Sequence, residues 1–481
     1  MTVFLLLYLL GAGNLYELTL EDAVNMALER NLQVLAAEES HNSAYGNLLQ
    51  ARSGFFPQVS LSSSYTYLST IQKMETYHLV RLEPDPQNPG SFIPVFEKSE
   101  MPFGYKNNYA FGLTVQQVLF SWGRLINNYK LAKHNLRSTD YDIEAKKEMI
   151  KESVKEAYYN CLLVRRYLDV LNETRKDLEE HYNSVKKRYE EGLASDFELL
   201  RAEVQLRNVE PQIKAAETGL KTAYDALKLQ LNLPLDVQIK LKDTLEYRSF
   251  NADLDSLISL ALSERLDLKS TDEKLEVLKK TVAIARSGNK PSVFAQWAYQ
   301  YQRPFGFEDK WKGMWTFTVG LQFPFFDGFK TYGQVKSMEA QLRQVRYMRE
   351  LQGKAIALEI RSLYRDLEAK EEALKSQRDN VKLARRAFEM AEEQYRNGYV
   401  SSLDVIDAEV AYSQARLSYI SALHDYNVAL ARLERALKAG SESPSGTSAG
   451  MEMKGAPASA QGGSAAGAAP SHGQHPGGAG F

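Results

Sequence analysis

Cysteine is almost missing: the 481-residue chain has one, Cys161. A disulfide framework and cysteine-based zinc sites are thereby excluded. The seven histidines are scattered without ligand spacing. A surplus of positive charge is missing too, because 59 Lys and Arg stand against 61 Asp and Glu, and the electrostatic footprint of a nucleic-acid binder goes with it. After Gly13 no run of 18 or more apolar residues occurs, so a chain of this kind crosses a membrane only by strands. No Ser/His/Asp arrangement, phosphate-cradling glycine loop or metal cluster is legible, which points away from an enzyme and from any cofactor.

What is present is written twice. RYEEGLASDFELLRAEV (188–204) returns as QYRNGYVSSLDVIDAEV (394–410), 206 residues later when Tyr189 is laid on Tyr395. Each copy reads as a helix, a tight turn and a second helix. Gly192 and Gly398 supply the left-handed residue that ends the incoming helix, and Ser195 and Ser401 cap the outgoing one. A period this long is no solenoid; it is one half-chain fold used twice.

Other segments repeat in step. Leu18 to Arg30 predicts an amphipathic helix with Thr19 as N-cap, and a second helix runs to about Ser53; Leu254 to Arg265 and the residues up to Ser287 repeat the pattern. After Pro57 and Pro291 the period changes to two. Strands are predicted at about 57–67, 108–119, 292–302 and 314–324. Val59, Leu61, Tyr65 and Tyr67 alternate with Ser60, Ser62, Ser64 and Thr66, and Trp315, Phe317, Val319 and Leu321 alternate with Thr316, Thr318, Gly320 and Gln322. Phe294 breaks the alternation of the third strand. One face is apolar and aromatic while the other is small, polar and uncharged, which suits strands of ~9–11 residues with lipid outside and water inside. Between the first two strands, Leu68 to Asn107 reads as a long extracellular loop.

Very long helices follow. A strict four-three spacing runs through Ile150, Val154, Ala157, Cys161, Val164, Leu168 and Leu171 to Tyr189, and again through Ile356, Ile360, Leu363 and Leu367 to Tyr395, with polar breaks at Arg175, Lys370 and Gln377. Such a seam calls for a helix alongside. The hairpins are placed at 124–231 and 330–437, each long arm roughly 100 Å at ~1.5 Å per residue. Cys161 takes the place of Leu367 in the seam, a packed small residue and no reactive thiol. Pro211 is expected to bend the first returning helix. The first repeat covers 14–231, an equatorial linker with a short strand near Val237 to Leu241 covers 232–253, and the second repeat covers 254–439. Residues 1–13 resemble a secretory signal, with apolar Val3 to Leu10 followed by Gly11-Ala12-Gly13, although no Lys or Arg precedes them. From Gly440 to Phe481 Gly, Ala, Ser and Pro dominate, and a disordered tail is expected; His472 and His475 within it read as inert.

Four strands are too few to close a barrel, so several copies must share one. LTLEDAVNMALERN (18–31), ARSGFFPQVSLSSSY (51–65), LFSWGR (119–124), FFDGFK (325–330) and the doubled Tyr-x-x-Gly-x-x-Ser turns together resemble the TolC family of outer-membrane efflux proteins over about Leu18 to Leu437. The resemblance implies a mainly α fold with a membrane β part. Long coiled-coil hairpins would form a trimeric α-barrel in the periplasm, beneath a shared 12-stranded transmembrane β-barrel with four strands per chain. It further implies a passive channel-tunnel in the outer membrane, a homotrimer served by a periplasmic adaptor (membrane-fusion) protein and an inner-membrane pump of the resistance-nodulation-division or ABC type, in contact with outer-membrane lipid and not with nucleic acid.

In that family the hairpin tips meet the adaptor, which nominates Tyr189, Gly192, Ser195, Tyr395, Gly398 and Ser401. Carboxylate rings that narrow the pore resemble Glu389 and Glu392, although a solvated helix face explains such a pair as well. Tyr65, Tyr67, Trp297, Trp311 and Trp315 read as aromatics at the membrane interface. The competing reading is a soluble or periplasmic coiled-coil scaffold without channel activity, in which the alternating stretches form a small dimerisation sheet.

Overall fold

The computed structural model describes residues 15–440. The signal-like segment and the tail lie outside the described residues. In chain order the elements are β1 (Leu15–Leu18), α1 (Leu20–Arg30), α2 (Leu32–Ser53), β2 (Gln58–Tyr67), β3 (Gln72–Pro84), β4 (Phe92–Phe103), β5 (Asn107–Phe120), α3 (Arg124–Glu190) and α4 (Asp196–Gln230). Then come β6 (Gln238–Leu241), α5 (Leu254–Glu264), α6 (Leu266–Arg286), β7 (Ser292–Arg303), β8 (Lys312–Gln322), α7 (Lys330–Arg396) and α8 (Ser402–Lys438). Among the described residues no helix is long and apolar enough to cross a membrane.

Both long arms, α3 and α7, contain 67 residues and are ~100 Å long. Each folds back on a shorter partner, α3 on α4 and α7 on α8, and α3 also packs against α6 and α8. The apolar seam fills two equivalent cores. Val154, Cys161 and Leu227 are buried with Ala23, Ala27 and Val34 in one. Ile360, Leu367 and Leu433, each 206 residues on, are buried with Leu257 and Ala261 in the other. Burial raises the Cys161 thiol to about 12. Pro211 lies inside α4, which continues through it to Gln230.

The equator is held by buried polar groups. The first strand, β1, pairs in parallel with β6. The Tyr158 hydroxyl donates to Leu18 O and to an Asp243 carboxylate oxygen at 2.8 Å, and Arg165 donates to the Leu241 and Asp243 carbonyls. In the second half Arg265, only 3% exposed, pairs with Asp267 and Glu359, and Arg435 pairs with Glu152 and Glu359. Removing one member of such a set leaves an uncompensated buried charge, so these pairs fix geometry whatever their net worth.

Four strands make one antiparallel sheet in the order β2-β5-β7-β8. Its register puts Leu61, Leu113, Tyr299 and Trp315 in one row and Ser60, Thr114, Ala298 and Thr316 in the next, on the other face. Phe294 sits on the polar face opposite Gly320, and a Cβ at that glycine would come within 2.3 Å of the ring. The bare backbone of Gly320 is what lets an aromatic ring lie on that face.

The stretch between β2 and β5 corrects the expectation of a loop. Residues 72–103 form a separate antiparallel hairpin, β3-β4, with a bulge between Leu79 and Arg81. Its Lys73–Glu100 and Lys98–Glu75 pairs link the strands across one face. Charged residues at alternate positions hid the period, because both faces of a free hairpin are wet.

Gly320→Ala should force Phe294 off its seat at a cost of roughly 1–3 kcal/mol. Thermal unfolding of the purified protein checks this, and the increment should vanish in a Phe294→Ala background.

Candidate functional site

The two hairpin tips are built by matching local chemistry. Gly192 (φ 75°) and Gly398 (φ 77°) are both left-handed. The following amide reaches back five residues in each: Leu193 N–H donates to Arg188 O at 2.7 Å and Tyr399 N–H to Gln394 O at 2.9 Å. These bonds satisfy carbonyls that the helix end leaves orphaned. Ser195 and Glu198 form a reciprocal capping box at the start of α4, and Ser401 and Asp404 do the same for α8. Donation from the Ser401 hydroxyl and backbone holds the Asp404 carboxyl below the usual carboxylate range.

The nominated residues do not share one environment. Tyr189 is 41% exposed whereas Tyr395, its counterpart, is 5% exposed. Tyr395 packs with Val185, Ala202 and Val405 in an apolar cluster that joins the two hairpins. The Arg188 guanidinium lies 5.0 Å from the Tyr395 ring centroid and donates to the Tyr395 carbonyl at 3.0 Å. The chemical symmetry of the two turns is thus broken by packing.

Glu389 and Glu392 each already hold an arginine one turn away, Arg385 before the first and Arg396 after the second. Arg385 donates to Glu389 at 2.8 Å and Arg396 to Glu392 at 3.2 Å. Glu389 is exposed and Glu392 half-buried. Glu392 also stands close enough to Asp177 on α3 to help raise its carboxyl.

Two features near the tips escape a reading by seam alone. One is an exposed apolar stripe at Leu193, Phe197, Leu200 and Val204 (65, 70, 56 and 50% exposed). Its four-three spacing was legible, but the side it faces was not. The other is a buried polar layer between α3 and α8. The Thr174 and Ser413 hydroxyls are 2.9 Å apart, and His181 Nε2 lies 2.8 Å from the Ser402 hydroxyl. Glu409 sits in this layer at 2% exposure. Thr174 and His181 are seven residues apart, one position before the polar break at Arg175 and the seam residue Tyr182, which was the available signal.

At the opposite end, Tyr65, Tyr109, Tyr301 and Trp311 gather. Tyr109 lies 5.0 Å from Tyr65 and 5.8 Å from Trp311, and Tyr301 stacks on Trp311 at 5.1 Å. Tyr67 ends β2 opposite Asn107, and Trp315 lies beside Tyr299. Trp297 stands mid-strand between Val115 and Phe317.

Ala in place of either turn glycine should cost ~1–2 kcal/mol from the left-handed backbone. Hydrogen exchange of the first turns of α4 and α8 should speed up locally, with the equatorial helices unchanged.

Comparison with known proteins agrees with this architecture. A family model described as outer membrane efflux protein matches residues 23–233 and 257–438. The outer membrane protein TolC of Vibrio cholerae is 21% identical over 432 residues, spanning 87% of this chain and 90% of its own. The cation efflux system protein CusC of Escherichia coli K12 is 24% identical over 317 residues, 63% of this chain and 66% of its own. Among solved structures, CusC superposes with a TM-score of 0.69 at 19% identity over 90% of this chain and 95% of that one. The Campylobacter jejuni outer membrane channel CmeC gives 0.68 at 18% identity over 87% and 85%. A soluble scaffold is ruled out by this match: with its four-stranded sheet and paired helical hairpins, the chain is an outer-membrane protein and belongs to the outer membrane efflux protein family.

Proposed function

We propose that three copies of this chain make one continuous duct through which solutes leave the cell passively. An inner-membrane pump, of the resistance-nodulation-division or ABC type, and a periplasmic adaptor would supply energy and cargo. The observation that carries this reading is the open sheet. Its edges are β2 and β8, and successive strands alternate in direction, so β2 and β8 run oppositely. A copy placed alongside therefore continues the antiparallel order, and three copies give twelve strands, an even number above the minimum of eight.

The polar face of the sheet, with Ser60, Ser62, Thr114, Gln300, Thr316 and Thr318, would line the water-filled lumen. Exposed apolar positions a heptad apart on α7, Leu351 with Leu358 and Leu383 with Met390, fit packing against a neighbouring copy. At the tips the stripe Leu193, Phe197, Leu200 and Val204 fits an apolar helix face of the adaptor, beside Tyr189, Gly192, Ser195, Gly398 and Ser401. Tyr395 would act from beneath, holding the second tip against the first. Glu389 and Glu392 would lie at the narrow end of the duct, each screened by its arginine.

Three outcomes test this. The purified protein in a planar bilayer should conduct as a stable open pore, and a silent membrane would contradict the duct. Leu193→Glu with Phe197→Glu should weaken capture of the cognate adaptor by tenfold or more, about 1.4 kcal/mol, while the native mass stays the same. Glu389→Ala with Glu392→Ala strips two carboxylates and leaves Arg385 and Arg396 unpaired. Reversal potentials should then move toward anion preference; an unmoved potential places both residues away from the pore.

A further inference from the structure

Among the described residues only four buried side-chain polar atoms lack a hydrogen-bond partner, and three of them, Arg188 Nε, Tyr395 OH and Glu409 Oε2, lie where the second hairpin meets the first near the tips. Glu409 is the most demanding of the three. It is a carboxyl group 98% withdrawn from water (2% exposed), in a seam whose other polar members are the hydroxyls of Thr174, Ser402 and Ser413 and the imidazole of His181. A carboxylate left unpaired in such a place is costly, and a neutral carboxylic acid far less so.

The charges around it are unbalanced. Asp177 of α3 and Arg416 of α8 act on Glu409 directly, and the Thr174 hydroxyl offers its other oxygen a hydrogen bond; Asp177 in turn stands among Glu173 and Glu180 of α3 and Glu392 of α7. Arg416 is already bonded to Glu173, Glu392 to Arg396, and Glu180 to Lys176. Asp177 is half-buried, and its carboxyl is raised first by burial and then by Glu180, Glu392 and Glu173, against the pull of Arg416. Among the described residues no three acidic, His or Cys side chains converge to hold a metal ion. Protonation is the remaining way to neutralise the seam.

We propose that this seam is a proton-operated latch between the hairpins: with Glu409 protonated α8 stays docked on α3, and ionisation of Glu409 beside Asp177 drives the two apart. The proposal rests on reading the tips as the inner mouth of the duct. The step is a single proton exchange with water, in which the Glu409 O–H bond breaks and no other bond changes.

The direction follows from the two environments. Burial raises the docked Glu409 carboxyl to about 7, against 4.5 for a solvated one. The docked form thus holds the proton more tightly. Its advantage is complete below about 4.5 and falls by up to about tenfold per pH unit until about 7, beyond which it is flat. His181 opposes this: burial lowers it to about 4 against 6.5 for a solvated imidazole, so the docked form loses ground as pH falls from about 6.5 to about 4. The two effects together make the latch firmest between about 4.5 and about 6.5. Above that window the mouth loosens.

The test uses the full-length protein with nitroxide labels at Leu193→Cys and Tyr399→Cys, two exposed tip positions. Cys161 is buried and stays unlabelled. Labelled chains are diluted so that each assembly carries one, and the label distance is measured by electron spin resonance at about pH 5 and about pH 8. A short distance at the lower pH and a longer population at the higher one are expected. Glu409→Gln should stay short at both, and Asp177→Asn should shrink the change. Equal distances at both pH values in the unaltered chain, or a Glu409→Gln protein that opens as the parent does, would overturn the latch. Bilayer conductance of the same samples keeps the two readings apart. A silent bilayer with a pH-dependent distance refutes the duct and supports the latch, whereas steady conductance with a fixed distance refutes the latch alone.

Discussion

Everything in this structure depends on a sheet that cannot finish itself. The edge strands β2 and β8 present unpaired N–H and C=O groups, and their apolar faces belong in lipid, where no water can satisfy a backbone. The missing partners must come from other copies of the same chain. That requirement reaches down through the helices, because the arms leave the sheet directly at Arg124 and Lys330, so whatever symmetry closes the strands also arranges the hairpins.

Duplication supplies most of the economy, and its failures mark the places where function would reside. The two equatorial cores repeat at several seam positions, Val154 with Ile360 and Cys161 with Leu367, and buried arginines tie the second one to both hairpins. Toward the tips the apolar clusters shrink to a few residues around Val185 and Tyr395, and polar groups take their place. Local stability follows buried apolar contact, so motion is cheapest at the tips and dearest at the equator. Tyr189 and Tyr395 occupy the same place in the motif, yet one is exposed and the other is buried under Arg188.

Much of this was legible in the residues. The change of period after Pro57 and Pro291 marks the strands, the four-three seam marks the long arms, and Gly192, Gly398, Ser195 and Ser401 mark the turns, since each reflects a local rule that tertiary packing does not override. The hairpin β3-β4 was not legible, because a ribbon wet on both faces has no apolar period to show. Nor was β1, four residues whose partner, β6, lies more than two hundred positions away and pairs with it in parallel. Phe294 breaks the alternation of its strand, and only the register that sets it opposite Gly320 explains why. The Glu409 layer was hidden for a different reason: α3 packs against α8 as well as α4, and a single stripe cannot reveal the further partner. Conversely, Glu389 and Glu392 attract notice in the sequence, but their arginines lie one helical turn away on the same helix and temper the charge.

The native mass of the protein in mild detergent, measured together with its β signal, tests the central claim most directly. Shared closure of the sheet predicts a particle of three chains that loses its strands when it is split. A single-chain particle that keeps its four strands folded would contradict the account.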